Sequence, residues 1–399
     1  MKLLLFGAGI LLLIFVEILR VYYIMPFPGS QLEETIDLAY FLQNTVWYFR
    51  VLGVLLVAYP TYYYFKSGKS TIKWTLMAML AFWLMVVYAF NFRFLADKMF
   101  YQPENKILLN AKANKVPLNK LVIGVSIEGA AKAYPIEIIG YHHQVRDTIG
   151  GKPVMVTYCT VCRTGRVYSP IVEGVPEQFR LVGMDHFNAM FEDATTKSWW
   201  RQANGEAIVG ARKGKVLQEI PSQQMSLAAW LSEYPNSFIL QPDSLFLKQY
   251  EGLEKYDEGK MEGNLEKRDS LSWKDKSWVV GIAMGLSAKA YDWNDFVNVQ
   301  VINDQIENTP IVLALESDTA SFHAWNRIVR NDTLNFIFNS ETKKMHDTKY
   351  DASWDWTGQC ETGPLKGEKL KYMQAYQEYW HSWRTFHPGT QQFQLQDHK

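Results

Sequence analysis

Cysteine is scarce: the 399 residues hold three, Cys159, Cys162 and Cys360. So few thiols exclude a fold held together by a disulfide framework, and they leave one pair, three positions apart, as the candidate for joint sulfur chemistry. An excess of one charge is missing too, since Lys+Arg and Asp+Glu both number 41. Without a basic surplus, the composition gives no reason to expect nucleic acid as a partner. The chain also lacks a nucleophile elbow, a Walker loop, a dinucleotide fingerprint and a His-Glu-x-x-His signature, so hydrolase and nucleotide-dependent readings have nothing to stand on. Cys162 is followed by Arg163 where covalent c-type haem needs histidine, which excludes that cofactor.

What the chain has in quantity is apolar surface. At 48% apolar and 15% aromatic residues it can hold two or three domains with real cores. Residues 3–23, 46–65 and 74–92 are apolar runs, each long enough at about 1.5 Å per residue to cross a hydrocarbon layer of roughly 30 Å. Lys2 ahead of the first run looks like the start of a signal peptide, but no small-x-small cleavage site follows and the run is too long. Three retained spans are expected. Residues 26–42 carry Glu33, Glu34 and Asp37 with no Lys or Arg, whereas Lys66, Lys69 and Lys73 crowd the second loop. The positive-inside rule then places the chain in the cytoplasmic (inner) membrane, N-terminus inside, with everything after the third span extracytoplasmic. Glu17, Arg20 and Arg50 are costly in lipid unless they pair or reach the interface. A Glu17–Arg50 pair is one expectation and snorkelling arginines the other; neither implies transport.

Beyond residue 120 the pattern becomes strand-like and repeats itself. Val122-Ile-Gly124 reappears as Val279-Val-Gly281, Ala131-Lys-Ala-Tyr134 as Ala288-Lys-Ala-Tyr291, Asp147 as Asp304 and Pro153 as Pro310, all at an offset of 157 (281 − 124). Gly205, Gly210, Trp230 and Pro235 recur as Gly358, Gly363, Trp383 and Pro388 at an offset of 153 (358 − 205). The expected fold is therefore α+β: a three-helix anchor over residues 1–96, a connector over 97–120, a first β-rich copy over 121–242, a charged linker over 243–277 and a second copy over 278–395. Each copy ends in an amphipathic helix, residues 226–234 or 374–386, stopped near a proline.

The repeat separates architecture from function. Residues shared by both copies, such as Asp147, Trp230 and Trp383, read as turn and packing positions. Residues found only in the first copy are freer to act: Cys159 meets Glu316, Cys162 meets Thr319 and His142 meets Val299. If the chain turns near Asp147–Gly151, His142 and His143 lie on one arm of a hairpin whose other arm ends at Cys159. That geometry offers a Cys2His site with a fourth ligand from Asp193, Met190 or His186, suited to zinc or copper. Two other outcomes stay open: thiol–disulfide exchange by Cys159 and Cys162, with Arg163 lowering a thiolate pKa, and a buried thiol pair with no chemistry. His323, His346, His381 and His387 read as surface or satisfied side chains. No reaction class is fixed, and the aromatic content would also suit an interaction subunit among other membrane or periplasmic proteins.

Tyr158-Cys-x-x-Cys162, preceded by His142 and Asp147-Thr-x-Gly-Gly151 and followed by Met190-x-x-Asp193-x-x-Thr196-x-Ser198-x-Trp200-x-Gln202, resembles the domain of unknown function 3179 family over about residues 121 to 390. Members show Thr-Tyr-Cys-Pro-Leu-Cys, and here Thr160 and Val161 replace the Pro-Leu pair. The family's His-Glu pair stands as His142-His143. The resemblance brings no established activity; it implies that His142, Cys159 and Cys162 matter.

Overall fold

The computed structural model describes residues 1–395. Three helices open the chain, α1 (Lys2–Tyr22), α2 (Ile36–Ser67) and α3 (Ser70–Phe92), all long and apolar enough to cross a membrane. The second starts well before residue 46 because Leu38, Ala39 and Leu42 favour helix, and the Tyr40 ring meets Trp199 edge-on at 5.1 Å. Small residues let α1 and α2 approach: a methyl on Gly53 would stand 2.5 Å from Leu13.

The chain forms two compact units. The first comprises Met1–Tyr101, Glu177–Arg201 and Glu206–Val216. Outside its helices it holds an antiparallel sheet in the order Ala207–Val209, Trp199–Arg201, Asn188–Asp193, Phe179–Asp185. This sheet is stitched to the segment after α1: the Met184 amide donates to the Ile24 carbonyl at 2.7 Å and the Phe187 amide to Gln31 Oε1 at 3.2 Å. Such long-range pairing carries no local sequence mark, so linear reading assigned these strands to residues 121–242.

The second unit comprises Gln102–Pro176, Gln202–Gly205 and the chain from Leu217 onward. Its first sheet is built on the hairpin Leu121–Ile127 and Ala130–Pro135, flanked by Gln223–Ser226 and by a parallel strand Phe238–Leu240, with Leu108–Asn110 at the edge. Another sheet is built on the hairpin Trp278–Met284 and Ser287–Asp292, flanked by Tyr376–Tyr379 and by a parallel strand Gln391–Gln392. In both, a central glycine receives a helix tryptophan. A methyl on Gly124 would stand 2.3 Å from Trp230, and one on Gly281 2.3 Å from Trp383.

Each hairpin leads into a seven-residue helix, Ile136–His142 or Trp293–Val299, closed by a left-handed residue, His143 (φ 60°) or Gln300 (φ 59°). The sequence reading expects a strand here, since it sets His142 and His143 on one arm of a hairpin turning near Asp147–Gly151. Burial of the face carrying Ile136, Ile138 and Ile139 decides otherwise. The closing helix of the second half is shorter than residues 374–386: Tyr376–Tyr379 joins the sheet and the helix runs Trp380–Phe386. A further sheet, Gln144–Ile149, Lys152–Cys159 and Thr164–Tyr168, turns at Gly150-Gly151, whose φ values of 53° and 76° suit a two-residue glycine turn.

Candidate dithiol site

The thiols sit where two strands of this last sheet meet. Cys159 ends one strand and pairs with Thr164, which opens the next, so residues 160–163 form the loop between them. The loop closes with the Arg163 amide on the Thr160 carbonyl at 3.4 Å, and Arg163 takes a left-handed φ of 56°. Both sulfurs are fully buried. Burial, then the hydrogen bond with Cys159, pushes the Cys162 thiol well above the ordinary range; a hydrogen bond with Ser382 and the charge of Lys276 pull it partly back.

The rest of the site comes from the C-terminal half of this same unit. The Tyr379 amide donates to the Cys162 carbonyl at 3.0 Å, setting the start of helix Trp380–Phe386 over the loop. His381 Nε2 then lies 3.9 Å from Cys162 Sγ, and its Nδ1 is 3.0 Å from the Asp275 carbonyl. A carbonyl can only accept, so Nδ1 carries the proton and Nε2 offers its lone pair to the sulfur. Burial, then the nearby Lys276 charge, pushes His381 down to about 3, so the ring is neutral. Lys276 Nζ donates to the Val161 carbonyl at 2.7 Å and the Leu265 carbonyl at 2.5 Å.

Arg163, expected beside a thiolate, is committed elsewhere. It donates to Gln377 Oε1 at 2.8 Å and to the carbonyls of Tyr256 and Asp257, and it stacks over Trp278 at 3.8 Å. The cation that acts on Cys162 is Lys276. His142 ends a helix rather than lying on a hairpin arm. Its Nε2 is 2.6 Å from the Tyr250 hydroxyl and its ring packs among Tyr141, Phe246 and Tyr250. His143 faces the Tyr141 carbonyl at 3.1 Å, and burial holds it down at about 4.

The fourth-ligand candidates belong to the first unit and have partners there. Asp193 accepts from Thr196 and from Trp200 Nε1 at 2.9 Å, His186 Nδ1 is 2.7 Å from Asp185, and Met190 is buried in its sheet. Among the described residues no group of three or more His, Cys, Asp and Glu could hold a metal ion, so the expected set of Cys159, Cys162 and His142 is not assembled. Cys360 lies apart in the second half, its thiol on the Thr362 carbonyl at 3.1 Å.

In the helix bundle Arg50 Nε donates to Glu17 Oε1 at 2.6 Å and Arg20 to Glu17 Oε2 at 3.0 Å. Asn91 binds all three: it donates to Glu17 at 2.9 Å and accepts from Arg20 at 2.6 Å and Arg50 at 2.9 Å. The sequence reading missed Asn91 because a neutral amide near a helix end raises no alarm.

The sequence matches the family described as "Protein of unknown function (DUF3179)" over residues 105–390. The chain belongs to this family. No curated protein and no solved structure matches it. DUF3179 membership therefore supplies no chemistry, and the dithiol geometry must be read on its own terms. The sequence reading set His381 aside as a surface or satisfied side chain and missed Lys276 and Ser382 in this DUF3179 chain. One signal was available: at the 153 offset His381 meets Ala228 and Ser382 meets Ala229, so both are specific to the second half.

Proposed function

We propose that this DUF3179 protein is a membrane-anchored thiol–disulfide protein in which Cys159 and Cys162 cycle between dithiol and disulfide. The reading is carried by one observation: two sulfurs held together in a single loop, with a neutral imidazole nitrogen 3.9 Å from Cys162 Sγ. His381 Nε2 accepts the Cys162 S–H hydrogen bond and orients the sulfur; once the cap opens the proton is lost to water, Lys276 favours the resulting thiolate, and that thiolate attacks one sulfur of a partner disulfide. Cys159 then displaces the partner from the mixed disulfide. The partner leaves as two thiols with two electrons and two protons, and the Cys159–Cys162 disulfide remains. Because both sulfurs are buried, the cap formed by Lys276 and the start of helix Trp380–Phe386 must open for a large partner.

Zinc or copper at the same sulfurs is a second reading, with His381 in the place first given to His142; the described residues hold no ready group of three such ligands, so the loop would have to close on the ion. This reading is favoured by the 3.9 Å separation of Cys162 Sγ and His381 Nε2, close to the roughly 3.6 Å between sulfur and nitrogen ligands of a tetrahedral zinc. The absence of basic residues from 26–42, against Lys66, Lys69 and Lys73, supports an extracytoplasmic placement of the dithiol, in a compartment that oxidises thiols. A tandem duplication is supported by the matched pairings Gly124↔Ala133 and Gly281↔Ala290 and by the two left-handed caps.

Full-length protein in detergent, wild type against Cys159→Ser/Cys162→Ser, tests both readings. Thiols counted by alkylation across a glutathione series should show two of the three titrating together at one potential, with no stoichiometric metal. Zinc or copper at one per chain, lost in the double variant, would replace the redox reading with the metal one. A pair that neither oxidises nor holds metal would remove both.

A further inference from the structure

A cavity of about 480 Å³ in the second unit is lined by Asp257, Arg268, Trp278, Trp293, Asn294 and Asp318, none of which takes part in the thiol chemistry. Its size falls within the range of small-molecule sites. Three of its lining residues carry an unmet polar atom, an acceptor on Asp257 and donors on Arg268 and on Trp278 Nε1. Asp257 Oδ2 accepts from the Leu121 amide at 2.8 Å, while Oδ1 is buried with no hydrogen-bond partner among the described residues. Arg268 donates through one terminal nitrogen to Asn294 Oδ1 at 2.8 Å, while its Nε is buried and equally without a partner. Buried donors and acceptors are costly to leave unmade, which is why folded proteins rarely do so. Here an acceptor and a donor border the same space and do not pair with each other.

The walls are stiff. The Arg268 guanidinium stacks over Trp278 at 4.0 Å, Arg163 lies over the same indole at 3.8 Å, and Trp293 meets it edge-on with ring centres 6.0 Å apart. Side chains so stacked lose little further freedom when a ligand arrives. Val297 and Trp293 add an apolar patch beside the polar pair.

We propose that this cavity binds a small zwitterion of the amino-acid class, its carboxylate accepting from Arg268 Nε, its ammonium donating to Asp257 Oδ1 and its side chain lying on Trp293 and Val297. The charges around the rim select this class. A simple anion would face Asp257, Glu258 and Asp318 as well as Arg268, and a simple cation would leave Arg268 unmatched. The site stands on the cavity and on the unmet atoms of Asp257 and Arg268, independently of the thiol reading.

Full-length protein in detergent, titrated at millimolar concentration with each of the twenty L-amino acids and with glycylglycine, gives the test through melting temperature and tryptophan fluorescence. At least one of these should raise the melting temperature and shift the fluorescence saturably. Affinity should fall about tenfold or more in Arg268→Gln and in Asp257→Asn. Should either variant fold poorly, the wild type still decides: the N-acetylated and the amidated forms of the responding amino acid, each lacking one charge, should both lose the response. No response to any compound would overturn the proposal. So would a response that survives acetylation and amidation, or one unchanged in both variants.

Discussion

His381 is the residue on which the site turns, and burial gives it a measurable pH signature. Its folded pKa of about 3 lies below the ordinary histidine value. As pH falls through about 6.5 the unfolded chain takes up a proton that the folded chain refuses, so stability is lost on acidification until pH reaches about 3. His143, held at about 4, acts with the same sign. Asp257 acts oppositely: burial raises it to about 6, so the folded state binds its proton first and gains stability from pH 6 down to the ordinary carboxylate range. Other carboxylates overlay these effects, so the comparison of variants is what isolates His381. His381→Gln should flatten the dependence of unfolding free energy on pH between 6 and 4 by at most about 1.4 kcal/mol per pH unit, the value of one proton. Denaturant titrations at several pH values would show it; parallel curves for the two proteins would mean that folding leaves His381 at its ordinary histidine value and does not hold the ring neutral beside Cys162.

At the scale of elements, the three membrane-length helices are held by a polar cluster that no single helix can satisfy. Glu17 is buried between Arg20 and Arg50, and Asn91 closes the set from α3. Removing one member of a buried charge network costs about 3–5 kcal/mol, mostly because the others are left uncompensated. Glu17→Ala should therefore lower the melting temperature in detergent sharply, while replacing Glu17, Arg20 and Arg50 together by leucine should recover much of the loss. Equal loss in both would mean that shape and not charge compensation holds the bundle. Much of this level was legible in the sequence: apolar length marks a span, and Gly150-Gly151 marks a turn whatever surrounds it. The helix Ile136–His142 was not legible, because burial of its isoleucine face is a tertiary fact. That single error placed His142 on a hairpin arm, whereas the helix sets it against Tyr250. The strands between Phe179 and Val209 were readable as strands but not as partners of the segment after α1, since such pairing depends on residues more than a hundred positions away.

Across the second unit as a whole, each half closes the other. The Tyr379 amide caps the Cys162 carbonyl at 3.0 Å, and the Ser226 amide reaches Ser321 Oγ at 3.0 Å in the reverse direction. Between these contacts Arg166 and Glu378 form an ion pair at 2.6 Å, both side chains almost fully buried. Glu378 also accepts from Ser382 Oγ at 2.8 Å, and Ser382 is a hydrogen-bond partner of Cys162. The thiols are thus shielded by a network anchored in the other half, which is why no reading confined to residues 121–242 could describe the site. Glu378→Ala leaves the buried Arg166 with only the longer pair to Glu219 at 3.7 Å, at a cost of up to about 3–5 kcal/mol, whereas Arg166→Met/Glu378→Leu removes both charges and should restore most of that stability. The local consequence is sharper than the global one. In a Cys360→Ala background, where every remaining thiol belongs to the pair, Glu378→Ala should be alkylated by a maleimide faster than the parent under native conditions, and the double replacement should be protected again. If the single variant labels no faster than its parent while its stability drops, the halves part without uncovering the sulfurs, and the cap that the exchange reaction needs to open is not the one assigned here.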